Sequence, residues 1–482
     1  MGAAKRDEPG GTMPDGISIS GGGKGNPPPG RPFTPPYPVP RPALIGLLRA
    51  MLQGDGDLLG LMPAAAYSSP IGPLGYSRRS IVIVNDPKLV RQVLVDEDQI
   101  LPKSDLMVNA LDPLIGDSIF VSSGATWRRQ RSMMDPALSL MRVNRAFASM
   151  AAGADAAETL LAERSASGAE FSLDLFMSHM TADIICRSVF STTLEADAAH
   201  RVFDAFTFFE RAVAQVEIRR LIMDRAWTRI PQSQAVLDSC ATIRDCLGQL
   251  LDRHLAAGAR FDDIAAGVVA ATDGEGRAFT RKELIDQLGV LFLAGHETSA
   301  SALTWAFLLL AMRPDLVARL RAEVAEVCGD GPITFEHTRR LVFVRNIFQE
   351  TLRLYPPITF LPRVANEDMR IGSYRVKKGA LVMVVPWILH RHRSYWRDPN
   401  VFDPDRFTPE RKAEMVSGAY IPFGLGPRIC AGANFATVEA VLLIARLFRR
   451  FDLTLSDPGA IRPAARLTTR PARQVMVRVR AA

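Results

Sequence analysis

Cysteine is scarce in this chain of 482 residues: there are 5, Cys186, Cys240, Cys246, Cys328 and Cys430, with no CxxC pair and no even spacing. Neither a zinc ribbon nor a disulfide scaffold is encoded, and the odd count fits a reducing cytosol. A concentrated basic arm is missing too. The formal charge of +7 arises from 58 Lys and Arg against 51 Asp and Glu spread along the whole chain, which argues against a nucleic-acid partner. The first residues, MGAAKRDEPGGT, hold no apolar stretch and no small-residue cleavage site, so export by a secretory signal is not expected and a cytoplasmic location is. No transmembrane segment is expected either. The most apolar run, Leu288 to Met312, carries His296 and Glu297 near its middle, where a bilayer opposes them by several kcal/mol.

What is present suits a large globular core, with 48% hydrophobic residues. Length alone suggests about three domains, although one deep site can use the whole chain. Residues 1 to 42 are rich in Gly and Pro and end in NPPPGRPFTPPYPVPRP, which reads as a disordered tail with a stiff final spacer. The globular domain is then 43–482. From Arg281 to Met312 the periodicity predicts one central helix of about 48 Å, apolar nearly all round and buried in a large protein. Further helices are predicted over Pro87–Asp96, Trp127–Met134, Arg142–Arg164, Leu173–Phe190, Ala199–Val216, Gln232–Ala257, Leu316–Cys328, Phe343–Tyr355 and Phe435–Arg450. Strand signals are few: Ser80–Val84, and a pair around MRIGSY and ALVMVV with Lys377-Lys378-Gly379 between. The fold class is therefore mainly α with a small β-rich flank. The stretch from His390 to Gly432 is long coil, which inside a compact fold is usually functional.

That coil ends in Phe423-Gly-Leu-Gly-Pro-Arg-Ile-Cys430-Ala-Gly432 and runs straight into an apolar helix. Glycines at 424, 426 and 432 let the chain turn tightly around one cysteine and aim N–H groups at its sulfur. A lone thiol needs no such setting. A thiolate ligating haem iron does, because amide donors and the positive end of the next helix stabilise its charge while Phe423 keeps water away. Arg428 is well placed for a haem carboxylate. A buried free cysteine is the bland alternative.

On these residues the chain resembles the cytochrome P450 haem-thiolate monooxygenases, of soluble, bacterial type, whose loop pattern Phe-x-x-Gly-x-Arg-x-Cys-x-Gly is met by Phe423, Gly426, Arg428, Cys430 and Gly432. The resemblance covers about residues 35 to 482 and implies a single haem domain of the cytochrome P450 fold, in place of three. It implies heme b (iron protoporphyrin IX) as cofactor, with Cys430 as the metal ligand and Phe423, Gly424, Arg428 and Gly432 around it. Three further stretches are similar, in family order. Glu350-Thr-Leu-Arg353, with Arg406 of Phe402-Asp-Pro-Asp-Arg-Phe407, resembles the family's structural network of one acid and two arginines; a solvated surface pair is the alternative. Ala294-Gly295-His296-Glu297-Thr298 in the central helix resembles the oxygen-activation motif. There Ala294 and Gly295 leave room over the cofactor, Thr298 relays protons and Glu297 connects to solvent. The alternative is a Thr bonded back to its own helix, a packing glycine, and an acid paired with a nearby base. His296 is a spacer facing away. Trp127 and Arg131, at i and i+4 on one helix face, resemble the pair that holds a haem propionate, and Arg363 another propionate partner.

The implied activity is monooxygenation, inserting one oxygen atom into an apolar organic substrate and reducing the other to water. With no flavin or nicotinamide motif present, electrons come from NAD(P)H through separate proteins, a ferredoxin and an NAD(P)H-dependent ferredoxin reductase. Arg128, Arg129 and Arg345 are candidates for a basic docking face. The pocket is implied to run along Leu101–Phe120, Phe206–Ile222, Val290–Ala294 and Ile358–Phe360, with Phe208, Phe209 and Phe360 selecting shape. A monomer is expected. A peroxide-driven hydroxylase and a non-catalytic haem sensor or carrier remain as alternatives. Three decoys are set aside: Gly21–Gly25 as a phosphate loop, His390 and His392 as a strand-borne metal pair, and Gly54–Asp57 as a calcium loop.

Overall fold

The computed structural model describes residues 32–53, 58–75, 77, 79–97, 99–213, 232–257 and 261–482. Gly21–Gly25, Gly54–Asp57 and the stretch 214–222 of the expected pocket lie outside the described residues. The longer helices follow the apolar periodicity of the sequence. They are α1 (Ala43–Gln53), α2 (Asp105–Ile115), α3 (Gly124–Met134), α4 (Leu140–Ser167), α5 (Leu173–Phe190), α6 (Asp197–Val213), α7 (Gln234–Ala257), α8 (Arg281–Ala311), α9 (Pro314–Cys328), α10 (Val342–Leu354) and α11 (Ala433–Arg450). Helix α2 has Pro113 in its last turn, which hides it from a sequence reading.

Helix α8 is the axis of the molecule. It begins at a capping box in which Thr280 and Glu283 satisfy each other's backbone N–H groups, and it is buried along most of its length. It packs against α5, α7, α10 and α11. Trp305 of α8 stacks on Tyr355, just past the end of α10, with ring centroids 3.8 Å apart. Among the described residues no single helix is long and apolar enough to cross a membrane.

The β flank is larger than the sequence suggests. Strands β1 (Ile71–Pro73), β2 (Ile81–Val84), β4 (Leu361–Val364) and β7 (Leu381–Val384) form one sheet in the order β1-β2-β7-β4. The link from β2 to β7 is parallel, Ile81 opposite Leu381. Strand β3 (Phe171–Ser172) pairs with the C-terminal β11 (Met476–Ala481), which also pairs with β8 (Phe451–Leu455). The expected pairing across Lys377-Lys378-Gly379 is not formed. β5 (Met369–Ile371) and β6 (Tyr374–Val376) make the hairpin, and β7, buried at all four positions, joins β2 instead. A last hairpin, β9 (Pro463–Ala465) with β10 (Thr469–Pro471), carries no sequence pattern that predicts it.

The sequence reading places a boundary at residue 42. Residues 33–37 are docked on the core: the Phe402 N–H donates to the Phe33 carbonyl at 2.9 Å, and the Tyr355 hydroxyl to the Pro36 carbonyl at 2.5 Å. His390 caps a short helix, Pro386–Leu389, and is not on a strand.

Candidate active site

The segment Phe423–Gly432 closes on itself through the Cys430 N–H, which donates to the Phe423 carbonyl at 2.9 Å. Gly424 and Gly426 have φ of +81° and +78°, the left-handed region that favours glycine. A Cβ at Gly426 would stand 2.5 Å from the Leu94 carbonyl oxygen, so packing requires glycine there as well. At Gly424 nothing lies within 4 Å of that position, and the loop presents bare backbone. Cys430 lies three residues before the start of α11, whose unpaired first N–H groups make its end electropositive. Cys430 as a residue is exposed. Burial raises the thiol pKa, while the Gly432 N–H and the charge of Arg131 act in the opposite direction.

Cations collect beside this loop. Arg131 donates to the Ile429 carbonyl at 2.7 Å and pairs with Asp135 at 2.6 Å. Arg428 lies over the Trp127 ring, 4.4 Å from its centroid, and donates to the Ser122 carbonyl at 3.0 Å. The i, i+4 pair Trp127 and Arg131 therefore meets the cysteine loop at Arg428 and Ile429. Arg363 is buried on β4 and is bridged through its backbone to Lys103, whose ammonium reaches the Phe120 carbonyl and ring. Lys103 carries no motif that would mark it in the sequence.

Glu350, Arg353 and Arg406 form a buried network, with both Glu350 and Arg353 0% exposed. Arg353 grips Glu350 with two parallel bonds of 2.6 and 2.7 Å, and Arg406 donates to Glu350 at 3.3 Å. The remaining guanidinium donors serve the coil. Arg353 reaches the carbonyls of His390, Pro399 and Val401, and Arg406 those of Arg397 and Asp398. His390 belongs to this network and was not expected in it. Its Nε2 accepts from the Ile421 N–H at 2.9 Å, so Nδ1 carries the proton and donates to the Arg353 carbonyl at 3.2 Å. Burial, helped by the charges of Arg353 and Arg391, lowers its pKa to about 3 and keeps it neutral.

On α8 the Thr298 hydroxyl donates to the Ala294 carbonyl at 2.7 Å. Ala294 is exposed and Thr298 partly so, in the mostly buried middle of the helix. Gly295 turns elsewhere. A Cβ there would meet Ile185 of α5 at 2.3 Å, so close helix packing demands glycine at this position. Glu297 does not connect to solvent as expected. It is 3% exposed, accepts from Arg470 Nε at 3.0 Å and from the Thr468 hydroxyl at 2.5 Å, and forms a second contact with Arg470 Nη2. Burial alone would raise its pKa, but the Arg470 guanidinium outweighs that and holds it below the usual carboxylate value. His296 is buried among Phe203, Phe206 and Phe292, with Nε2 3.6 Å from Glu210. Glu210, His296 and Glu297 bring ligand-type atoms within 4.8 Å of one another, yet a metal ion there would face Arg470.

Other expected roles change in the fold. Arg129 is committed to Asp273 and Glu283, and Arg345 to the carbonyls of Thr338 and Arg339, so of the three expected docking arginines Arg128 alone is exposed. Phe208 shares the outer face of α6 with the exposed Arg201 and Asp204, and Phe209 is buried against Phe206. Phe360 is partly buried against the main core.

Residues 40–477 match the family described as Cytochrome P450. The chain is 30% identical to cyclooctatin synthase of Streptomyces melanosporofaciens over 432 residues, covering 88% of this chain and 90% of that protein. It is 27% identical to pentalenene oxygenase of Streptomyces avermitilis, covering 89% and 91%. The crystal structure of the cytochrome P450DA heme domain superposes with a TM-score of 0.77 at 24% identity, over 94% of this chain and 98% of that one.

Proposed function

Because the chain belongs to the cytochrome P450 family of haem-binding oxidoreductases, we propose that it hydroxylates an apolar organic substrate with dioxygen and electrons from NAD(P)H, delivered by a ferredoxin and its reductase. The observation that carries this reading is Cys430, held in a glycine loop at the head of α11 with Arg131 and Arg428 beside it. The residues fit a haem. A thiolate is a suitable soft ligand for its iron, the bare backbone at Gly424 leaves space for a flat ring, and the neighbouring cations suit its two carboxylates.

In this reading Cys430 would hold the iron, and the Gly432 N–H and the α11 terminus stabilise the sulfur's charge. Trp127, Arg131, Arg428 and Arg363, with Lys103 added, would hold the propionates. Bound haem supplies dioxygen activation and the oxidation of a C–H bond. Thr298 holds a proton at its hydroxyl beside the open face of Ala294, and the buried apolar side chains of α8 exclude bulk water. The Glu350 network keeps the loop in place and does no chemistry. A relative named for the oxygenation of pentalenene supports an apolar substrate. The unpaired state of all 5 cysteines supports a cytoplasmic location, and a monomer belongs to the same proposal.

The reduced, carbon-monoxide-treated holoprotein is expected to give the red-shifted Soret band of a thiolate ligand, and Cys430→Ser to lose it. An unchanged spectrum in that variant overturns the assignment. Titration of the ferric protein with an apolar compound library, followed by product analysis, then identifies the substrate. Turnover with peroxide but none with dioxygen and reduced ferredoxin would replace the proposed oxidant.

A further inference from the structure

His296 faces an acceptor at each of its ring nitrogens. Nδ1 lies 2.8 Å from the Phe292 carbonyl, which can only accept, so Nδ1 carries a proton. Nε2 lies 3.6 Å from Oε1 of Glu210, on α6. The residue is buried beside Phe203, Phe206 and Phe292, and burial lowers its pKa against the pull of the Glu297 charge, which keeps the imidazole neutral. A lone pair on Nε2 therefore points at a carboxyl group. Two acceptors set face to face attract only when a cation, a proton or a metal ion, stands between them.

Glu297 completes a triangle. One ligand-type atom from each of Glu210, His296 and Glu297 lies within 4.8 Å of the others, and no second group of this kind occurs among the described residues. Two ligands held about 2.0–2.1 Å from one tetrahedral ion stand about 3.4 Å apart. The 3.6 Å between Nε2 and Oε1 is close to that spacing. One imidazole with two carboxylates suits zinc, whereas magnesium and calcium take oxygen ligands.

Arg470 does not close the site. A carboxylate offers about four lone-pair positions. Glu297 Oε1 accepts from Arg470 Nε and from the Thr468 hydroxyl, and Oε2 contacts Arg470 Nη2, which leaves a position on Oε2 for a further partner. Glu210 is within hydrogen-bonding reach of Glu297, so two carboxyl groups converge with one guanidinium to balance them. Metal-bound carboxylates are themselves hydrogen-bonded, and metal-bound imidazoles donate their other N–H to a carbonyl or carboxylate. Arg470 and the Phe292 carbonyl stand in those two places. An entry path is present as well, because the Glu210 side chain is 19% exposed while His296 and Glu297 are buried.

We infer that Glu210, His296 and Glu297 form a zinc site, with water as the fourth ligand, that ties α6 to the middle of the central helix. The ion answers the second carboxylate, which Arg470 alone leaves unbalanced in a buried setting. Zinc entry displaces the proton that the cluster otherwise holds, and nothing is oxidised or reduced.

The test uses the untagged full-length holoprotein with Glu210→Gln, His296→Asn and, as a control, His200→Gln, which removes the exposed His200–Asp204 pair on the same helix. In equilibrium dialysis against micromolar zinc chloride, metal analysis is expected to find one zinc ion per chain, counted apart from iron, and no uptake of magnesium or calcium. Affinity should fall about tenfold or more in Glu210→Gln and in His296→Asn and stay unchanged in His200→Gln. Zinc should raise the thermal midpoint of the wild type and of His200→Gln by about 2–4 °C and leave the other two variants unmoved. Anomalous scattering at the zinc edge from a soaked crystal should place the ion about 2.0–2.2 Å from His296 Nε2 and from an oxygen of Glu210 and of Glu297. No uptake overturns the inference and leaves a proton as the cation between Glu210 and His296. Uptake unchanged in Glu210→Gln, or lost in His200→Gln, overturns it by placing the ion elsewhere. Should His296→Asn fail to fold, Glu210→Gln, at a partly exposed position, decides.

Discussion

Arg470 Nε donates to Glu297 Oε1 at 3.0 Å and so ties the C-terminal hairpin to the middle of the central helix. The same guanidinium donates to the Ser178 hydroxyl of α5 at 2.9 Å, which makes one side chain the joint of three elements. Removing one partner of such a buried pair strands the other charge.

Arg470→Met is therefore expected to destabilise the fold by about 3–5 kcal/mol, and adding Glu297→Gln to recover most of that loss. Denaturant unfolding of the two single variants and the double variant measures it. Additive losses would show that the pair is not coupled.

Gly295→Ala should cost about 1–3 kcal/mol, because the new Cβ enters the space of Ile185. Ile185→Ala in the same chain is expected to restore part of the stability. If Gly295→Ala is neutral by thermal unfolding, α5 and α8 have more room than their contact implies.

Arg353→Lys keeps a charge but cannot reproduce the two-pronged bond to Glu350 together with the carbonyls of His390, Pro399 and Val401. Haem content of the purified protein is expected to drop severalfold, since the coil that leads to Cys430 is anchored there. Wild-type haem content would remove the anchoring role.

His390 is neutral in the fold, its pKa lowered from 6.5 to about 3. The unfolded chain takes up a proton at this residue below 6.5 and the native one does not, so stability falls as pH drops through that window, by about 1.4 kcal/mol per pH unit. Unfolding free energies measured across it should have a shallower slope in His390→Asn than in the wild type. Parallel slopes would mean that His390 titrates alike in both states.

Much of the site was readable because it is local. The loop Phe423–Gly432 carries its cysteine, its glycines and its arginine within one short stretch, and Trp127 with Arg131 needs only a helical turn to share a face. The central helix shows in its apolar period, and its observed limits, Arg281–Ala311, differ by one residue from those expected. The acid and two arginines of the structural network were legible as a motif, but His390 was not, because its tautomer is set by an N–H from Ile421, on a different stretch of the coil.

What chain order alone could not reveal is the charge state of the groups around Thr298. Glu297 and Glu439 are chemically the same residue. One is ion-paired because a hairpin 173 positions later brings Arg470 to it, and the other is left with a serine 140 positions away. Gly295 likewise belongs to Ile185 of another helix. Local spacing dictates which elements form and which faces they bury, since those follow from steric period and apolar content. The partner of a buried charge, and hence whether it keeps a proton, depends on the dielectric and the donors that packing assembles from distant segments.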